Sequence, residues 1–329
     1  MMTTKETPLH RQHKYLQVLA ELVVPRRKIR DRLNPVEFYD GDEFSNRYRF
    51  SKESVMRLNK KIEPAIRHAL HFYSTGCFQM VHGDLFGVHK STVSRIDGRV
   101  SQAIAALKNQ YIRFAPTGET SAGFYRRAGF PGVIGAIDCT HIPIQNPGGE
   151  NGELFRNRKG YCSINIQVVC DEKAQITNIV ARWPGSTHDS RIFDNSHLCA
   201  LLESHAFQGH LVGDNGSPCC AYLLTPILNP SMPAEKRYNT CHIAARGLVE
   251  RVFPCLQNGL RTKLDTTLAV IVALAVLYNF GKRLGDEVLP EFEVDYRIGN
   301  TEEEGEEHNA ANANGNAVRR TLIENHFTA

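Results

Sequence analysis

The chain of 329 residues holds a single tryptophan and five methionines. Its longest apolar run, Leu268 to Tyr278, falls short of the roughly 20 residues that a bilayer-spanning helix needs, so it reads as a buried helix. Met1 to Pro8 lacks the apolar core of a secretory signal. Regular cysteine pairing is also missing: nine cysteines, at 77, 139, 162, 170, 199, 219, 220, 241 and 255, are odd in number and scattered, several inside apolar runs. Reduced thiols fit that pattern better than a disulfide framework. Cys219, Cys220, Cys241 and His242 lack the C-x2–4-C spacing of a structural zinc site. Ser186, His188 and Asp189 stand side by side, whereas a hydrolase triad is assembled from residues distant in sequence. These absences point to a cytosolic or nuclear protein with no membrane partner.

What is present is a composition of 42% hydrophobic and 22% charged residues, ordinary for a soluble globular chain with material for a core. The net charge of +4 is modest but unevenly spread. Residues 51–130 carry twelve Lys/Arg against five Asp/Glu, and residues 301–329 carry two against six. A basic N-terminal half suits a polyanion, and the acidic tail reads as solubilising. A basic knot, Arg26 to Arg32, suits either a backbone-contacting arm or import signal, or a solvated linker.

From Phe50 the pattern is helical, and residues 78–106 have the form of a helix-turn-helix. Leu85-Phe86 closes the first helix, Gly87 supplies the turn, and apolar residues at 93, 96, 100, 104 and 107 give the second helix a 3.6-residue stripe. Its first turns would face a DNA groove with His89, Lys90, Ser91, Thr92 and Arg95, short hydrogen-bonding groups and cations suited to base edges and phosphates. Pro116 to Gly123 reads as a linker.

The stretch Gly132 to His141 then reads as a buried strand that delivers Asp138 at its C-terminal end. Burying a lone carboxylate is costly, so Asp138 is either a turn-capping residue or a metal ligand. The basic turn Phe155 to Tyr161, with Arg158 and Lys159, is either a charged hairpin tip or, beside a nuclease site, a phosphate-holding turn. Strands at 162–170 and 175–182 follow, joined by an Asp171-Glu172-Lys173 hairpin, and then a helix that begins near Asp189 and runs through Leu202. A fourth strand, Gly209 to Gly213, leads into Asp214, and a helix at 244–253 carries Glu250. Three carboxylates converging without His or Cys suit Mg2+ or Mn2+ and phosphodiester cleavage, with Asp189 as a fourth ligand or a helix-capping residue.

The blocks Gly135-Ala136-Ile137-Asp138-Cys139-Thr140-His141, Asn157-Arg158-Lys159-Gly160-Tyr161, Arg182 to Arg191, Gly213-Asp214-Asn215-Gly216 and Arg246 to Phe253 resemble the PIF/Harbinger DDE transposases, and among them the Harbinger transposase-derived nucleases of animals. The resemblance spans residues 50–285. It implies an α/β fold, an RNase H-like catalytic domain with a mixed sheet flanked by helices, preceded by an all-α helix-turn-helix domain. It implies an N-terminal arm at 1–49, a DNA-binding domain at 50–115, a nuclease domain at 125–285 and an acidic, partly disordered tail at 286–329. Asp138, Asp214 and Glu250 would be catalytic and, with Asp189, would hold the divalent cation. DNA and a Myb/SANT-like protein would be the partners, in nucleus and cytoplasm. The alternative is a domesticated, catalytically impaired DNA-binding protein that recruits partners.

Three departures stand out. Ser217 replaces the family's aromatic after Gly-Asp-x-Gly, and the chain is shorter than the family between Ile66 and Tyr73. Phe253 runs straight into Pro254, so about seven family residues, close to two helical turns, have no counterpart. Pro254 should end or kink the Glu250 helix. The tail from Thr301 to Ala317 reads as disordered, and Val318 to Phe327 as a docking helix.

Overall fold

The computed structural model describes residues 35–60, 69–70, 73, 88–256, 262–286 and 313–328. The chain divides into two compact units, Met1–Tyr39 and Asp40–Ala329. In the first, a single helical turn, α1 (Pro35–Phe38), carries Phe38 edge-on to Tyr39.

The second unit opens with α2 (Gly41–Tyr48) and α3 (Lys52–Asn59). Asp40 caps α2 and Ser51 caps α3, each accepting a hydrogen bond from the backbone three residues on. The anticipated first helix of the helix-turn-helix, 78–87, lies outside the described residues. Its second helix is present as α4 (Lys90–Ala105), which buries Val93, Val100 and Ile104 along the expected stripe and packs on the long helix α10 (Leu264–Leu284). α5 (Lys108–Tyr111) follows. The stretch read as a linker instead starts α6 (Gly118–Ala128), because Thr117 and Thr120 close a capping box around its first turn.

A five-stranded mixed sheet forms the core in the order β3-β2-β1-β4-β5. Its strands are β1 (Val133–Pro143), β2 (Ser163–Cys170), β3 (Ile176–Pro184), β4 (His210–Val212) and β5 (Leu223–Leu224). β2 runs antiparallel to both β1 and β3, whereas β4 and β5 run parallel to β1. The β2–β3 hairpin turns where expected, with Asp171 accepting from the backbone of Lys173 and Gln175. β5 is too short to have left a periodic pattern in the sequence.

Between β3 and β4 the chain forms two helices, α7 (Asp189–Asp194) and α8 (His197–Glu203), where one was anticipated. The break falls at Ser196, whose hydroxyl caps α8 through the Cys199 amide. One face of the sheet buries Ile134, Ile137, Val169 and Leu211 against Phe193, Leu198 and Leu202 of these helices. β1 and β3 also receive α9 (Pro233–Glu250), α6 and α10. By length and composition α10 is apolar enough to cross a membrane, but 67% of its most apolar stretch is buried in the protein. Asn279 ties α10 to the sheet edge by accepting from Ile176 N–H and donating to the carbonyls of Ile176 and Tyr111.

A last helix, α11 (Ala313–His326), packs on α9 and β5. The reading of 313–317 as disordered is corrected here, since those residues form its first turn. Arg319 donates to the carbonyls of Thr225 and Pro226, and Arg237 of α9 donates to that of Phe327. Gly315 lies so close to the Cys219 carbonyl that any Cβ there would collide with it. The docking helix anticipated in the tail has its partner within its own chain.

Candidate active site

β1 is longer than its neighbour β4. Its parallel pairing ends at Ala136↔Val212, while its antiparallel pairing with β2 continues to Pro143↔Ser163. Asp138 is therefore in mid-strand, not at the strand end as anticipated, yet on the β4 side it lies beyond the last paired residue. Asp214 stands two residues past Val212, as Asp138 stands two past Ala136. Parallel register thus brings both carboxylates to one crevice, beyond the carboxyl end of β4, where open α/β sheets place their sites.

α9 reaches the same place from above the sheet and ends at Glu250. The helix stops there, earlier than the anticipated Phe253, and Pro254 sits in a 3-10 turn (Phe253–Cys255) that buries Phe253. Arg246, one turn before Glu250, joins the two acids: its Nη1 donates to Asp138 Oδ2 at 2.8 Å and its Nη2 to Glu250 Oε1 at 2.6 Å. The other Asp138 oxygen accepts the Cys139 N–H at 2.8 Å. Asp214 accepts from Gly216 N–H at 3.1 Å.

The Asp138 side chain is only 11% exposed. Burial raises its pKa above the ordinary carboxylate value; Arg246 pulls it down, and the charges of Asp214 and Glu250 push it up again. Neighbouring carboxylates in a partly dry crevice repel one another unless a cation or a proton offsets their charge. Among the described residues no three His, Cys, Asp or Glu side chains form a ready metal cage. The positive charge beside Asp138 and Glu250 is the Arg246 guanidinium.

Asp189 opens α7, but its capping group is His188, whose Nδ1 accepts from Ser190 N–H. Asp189 is held by Asn165, which donates to it at 2.7 Å, and by the Cys139 thiol, whose pKa is raised by burial and by Asp189, Asp138 and Asp214. Side chains alternate along a strand, so Asp138 and Cys139 point to opposite faces of β1. His141, on the Cys139 face, pairs with Asn165 in the register. Asp189 therefore approaches the sheet from the face opposite Asp138.

Lys90, Ser91 and Arg95 lie exposed on the first turns of α4, Thr92 is half-buried, and His89 is the helix cap. Arg158 and Lys159 are exposed in a turn anchored by Asn157, which donates to Ser163 Oγ. His141 Nδ1 lies 3.0 Å from that same oxygen, so the basic turn hangs from the end of the β1–β2 ladder. Sequence reasoning assigned no role to Arg246, although its four-residue spacing from Glu250 is a standard helical ion-pair signature.

Residues 137–279 match the family described as DDE superfamily endonuclease. The chain belongs to that superfamily, among its Harbinger transposase-derived nucleases. It is 31% identical over 282 residues to "Putative nuclease HARBI1" of Homo sapiens, covering 81% of this chain and 80% of the relative. The Xenopus laevis counterpart is 32% identical over 233 residues, 66% of this chain and 67% of the relative. "Protein ALP1-like" of Arabidopsis thaliana is 26% identical over 228 residues, covering 64% and 55%. No solved structure matches the chain.

Proposed function

We propose that this chain is a divalent-metal-dependent endonuclease that hydrolyses DNA phosphodiester bonds, with Asp138, Asp214 and Glu250 as the catalytic carboxylates. The observation that carries this reading is the equal offset of Asp138 and Asp214 past the Ala136↔Val212 pair, with α9 bringing Glu250 to Asp138 through Arg246. The donor set fits a hard cation: all oxygen, mutually repelling, and partly withdrawn from water. Bound there, Mg2+ or Mn2+ would supply an activated water and stabilise the leaving oxygen. Asp189, oriented by Asn165, faces the other side of β1 and stands outside this set.

The chain's own part is to hold the acids and to position the DNA. Asp138 is fixed by the strand and by the Cys139 amide, and Glu250 by its place at the end of a docked helix. Arg158 and Lys159 suit the DNA backbone, and His89, Lys90, Ser91, Thr92 and Arg95 suit a duplex groove. A Myb/SANT-like partner, and residence in nucleus and cytoplasm, are proposed from the family resemblance alone.

Plasmid nicking by the purified full chain, with Mn2+ titrated in, tests this reading. Wild type should nick only with the metal, and Asp138→Asn and Glu250→Gln should each lose about a thousandfold in rate. Equal nicking by wild type and Asp138→Asn would sink it.

A further inference from the structure

Arg246 touches both Asp138 and Glu250, at 2.8 and 2.6 Å, each from a different guanidinium nitrogen. It donates to Asp138 Oδ2 while Cys139 N–H takes Oδ1, so both oxygens of this carboxylate already carry a hydrogen bond. The exposures rise outward from the crevice floor: Asp138 11%, Arg246 23%, Glu250 35%. The guanidinium thus bridges the more buried acid, Asp138, to the more exposed one, Glu250. It also cannot give up its proton in this setting, so the charge it brings is permanent.

We propose that Arg246 is a resident counter-cation of the site, and that it and a divalent ion exclude one another from Asp138. The inference rests on the metal-dependent reading above and adds a device to it. In the metal-free chain Arg246 offsets one of the negative charges and joins the end of α9 to β1. Loading an ion requires the guanidinium to leave Asp138, because a divalent ion beside a fixed positive charge is repelled and the oxygens it needs are taken. Arg246 therefore sets the metal concentration at which the site fills, and the i,i+4 pair with Glu250 gives the released side chain a place to remain.

The test is Mn2+ binding to the full chain, followed by loss of the free-ion EPR signal, for wild type, Arg246→Met and Asp138→Asn. Arg246→Met should bind Mn2+ about tenfold more tightly than wild type, the size of an ordinary coupling between competing ligands. Its metal-free melting temperature should fall, since it leaves Asp138 and Glu250 without their cation, and Mn2+ should restore it. Arg246→Met binding no more tightly than wild type, with Asp138→Asn abolishing binding, would overturn the counter-cation role while leaving the metal site intact. Mn2+ uptake that is absent, or unaffected by Asp138→Asn, would overturn the metal-site reading and this inference with it. If Arg246→Met fails to fold, NMR of the wild-type chain labelled with 15N at arginine decides. The Arg246 guanidinium resonances, assigned with Arg246→Lys, should move on Mg2+ addition, and resonances unmoved at saturating Mg2+ would overturn the proposal.

Discussion

The two ends of α9 are built by different rules. Its N-terminal two-thirds is bolted down: Tyr238 donates to Thr225 O, His242 donates to Leu224 O, and Asn239 exchanges hydrogen bonds with both backbone groups of Ile227. Around that end Phe130 meets the rings of Tyr238, His242, His210 and Phe327, so α6's flank, β4 and α11 close on the helix together. The C-terminal end has little such packing on its polar face. Arg246 and Glu250 project into a crevice whose other wall is a carboxylate. One end uses apolar area and satisfied hydrogen bonds to fix the helix. The other holds charges that repel unless a cation is present. Stability is concentrated at one end so that the other can carry an unfavourable cluster, a common division between scaffold and site.

The comparison breaks cleanly if its ends are mutated separately. The largest stability effect is expected at the bolted end. Phe130→Ala empties the centre of the ring cluster and should cost about 3–5 kcal/mol in urea unfolding, while the folded fraction retains its nicking rate. Glu250→Gln should do the reverse, leaving stability within about 0.5 kcal/mol of wild type and removing activity. A Glu250→Gln protein as unstable as Phe130→Ala would erase the distinction.

Acidification attacks the bolted end next. Burial lowers the pKa of His210 and of His242 from 6.5 to about 4. The unfolded chain takes up these protons near 6.5, while the native state resists until about 4. Stability is therefore full above 6.5, falls as pH drops through that window and levels off below it, by on the order of 3 kcal/mol per histidine. Urea midpoints at pH 7.5, 6, 5 and 4.5 would show the slope, and His242→Gln should roughly halve it. A flat profile would mean that these rings are not held neutral.

A smaller loss than at the bolted end belongs to the outer strap. Arg319→Ala removes the donor to Thr225 and Pro226 and should cost about 1–2 kcal/mol. Hydrogen exchange should quicken in 313–328 and in the first turns of α9, and leave β1 and β2 unchanged. Faster exchange across the whole sheet would mean that α11 supports more than one helix.

Much of this was legible in the residues. Strand alternation and apolar runs located β1 to β4, and the carboxylates at the ends of two such runs marked the crevice, because a charge beside a buried strand has few structural reasons to be there. Register was not legible: that β1 outruns β4, which leaves Asp138 in mid-strand yet at an open edge, depends on pairing across 70 residues and more. Pro116 to Gly123 looked like a linker because Gly, Thr and Ser are turn formers, but Thr117 and Thr120 used the same chemistry to cap a helix. Val318 to Phe327 read as a docking helix without the surface it docks on, against which the structure buries Ile323 and Phe327. Arg246 was in plain view beside Glu250, and only its second contact, to Asp138, required the fold.

The most direct test of the carboxylate site is a mutant cycle of Mn2+-dependent plasmid nicking across Asp138→Asn, Asp214→Asn and the double variant. Residues that act as one unit fail together, so each single variant should lose about a thousandfold and the double variant no more than the worse single. An Asp214→Asn protein that nicks at the wild-type rate, or losses that multiply in the double variant, would contradict the claim that the two strand-borne acids form one site.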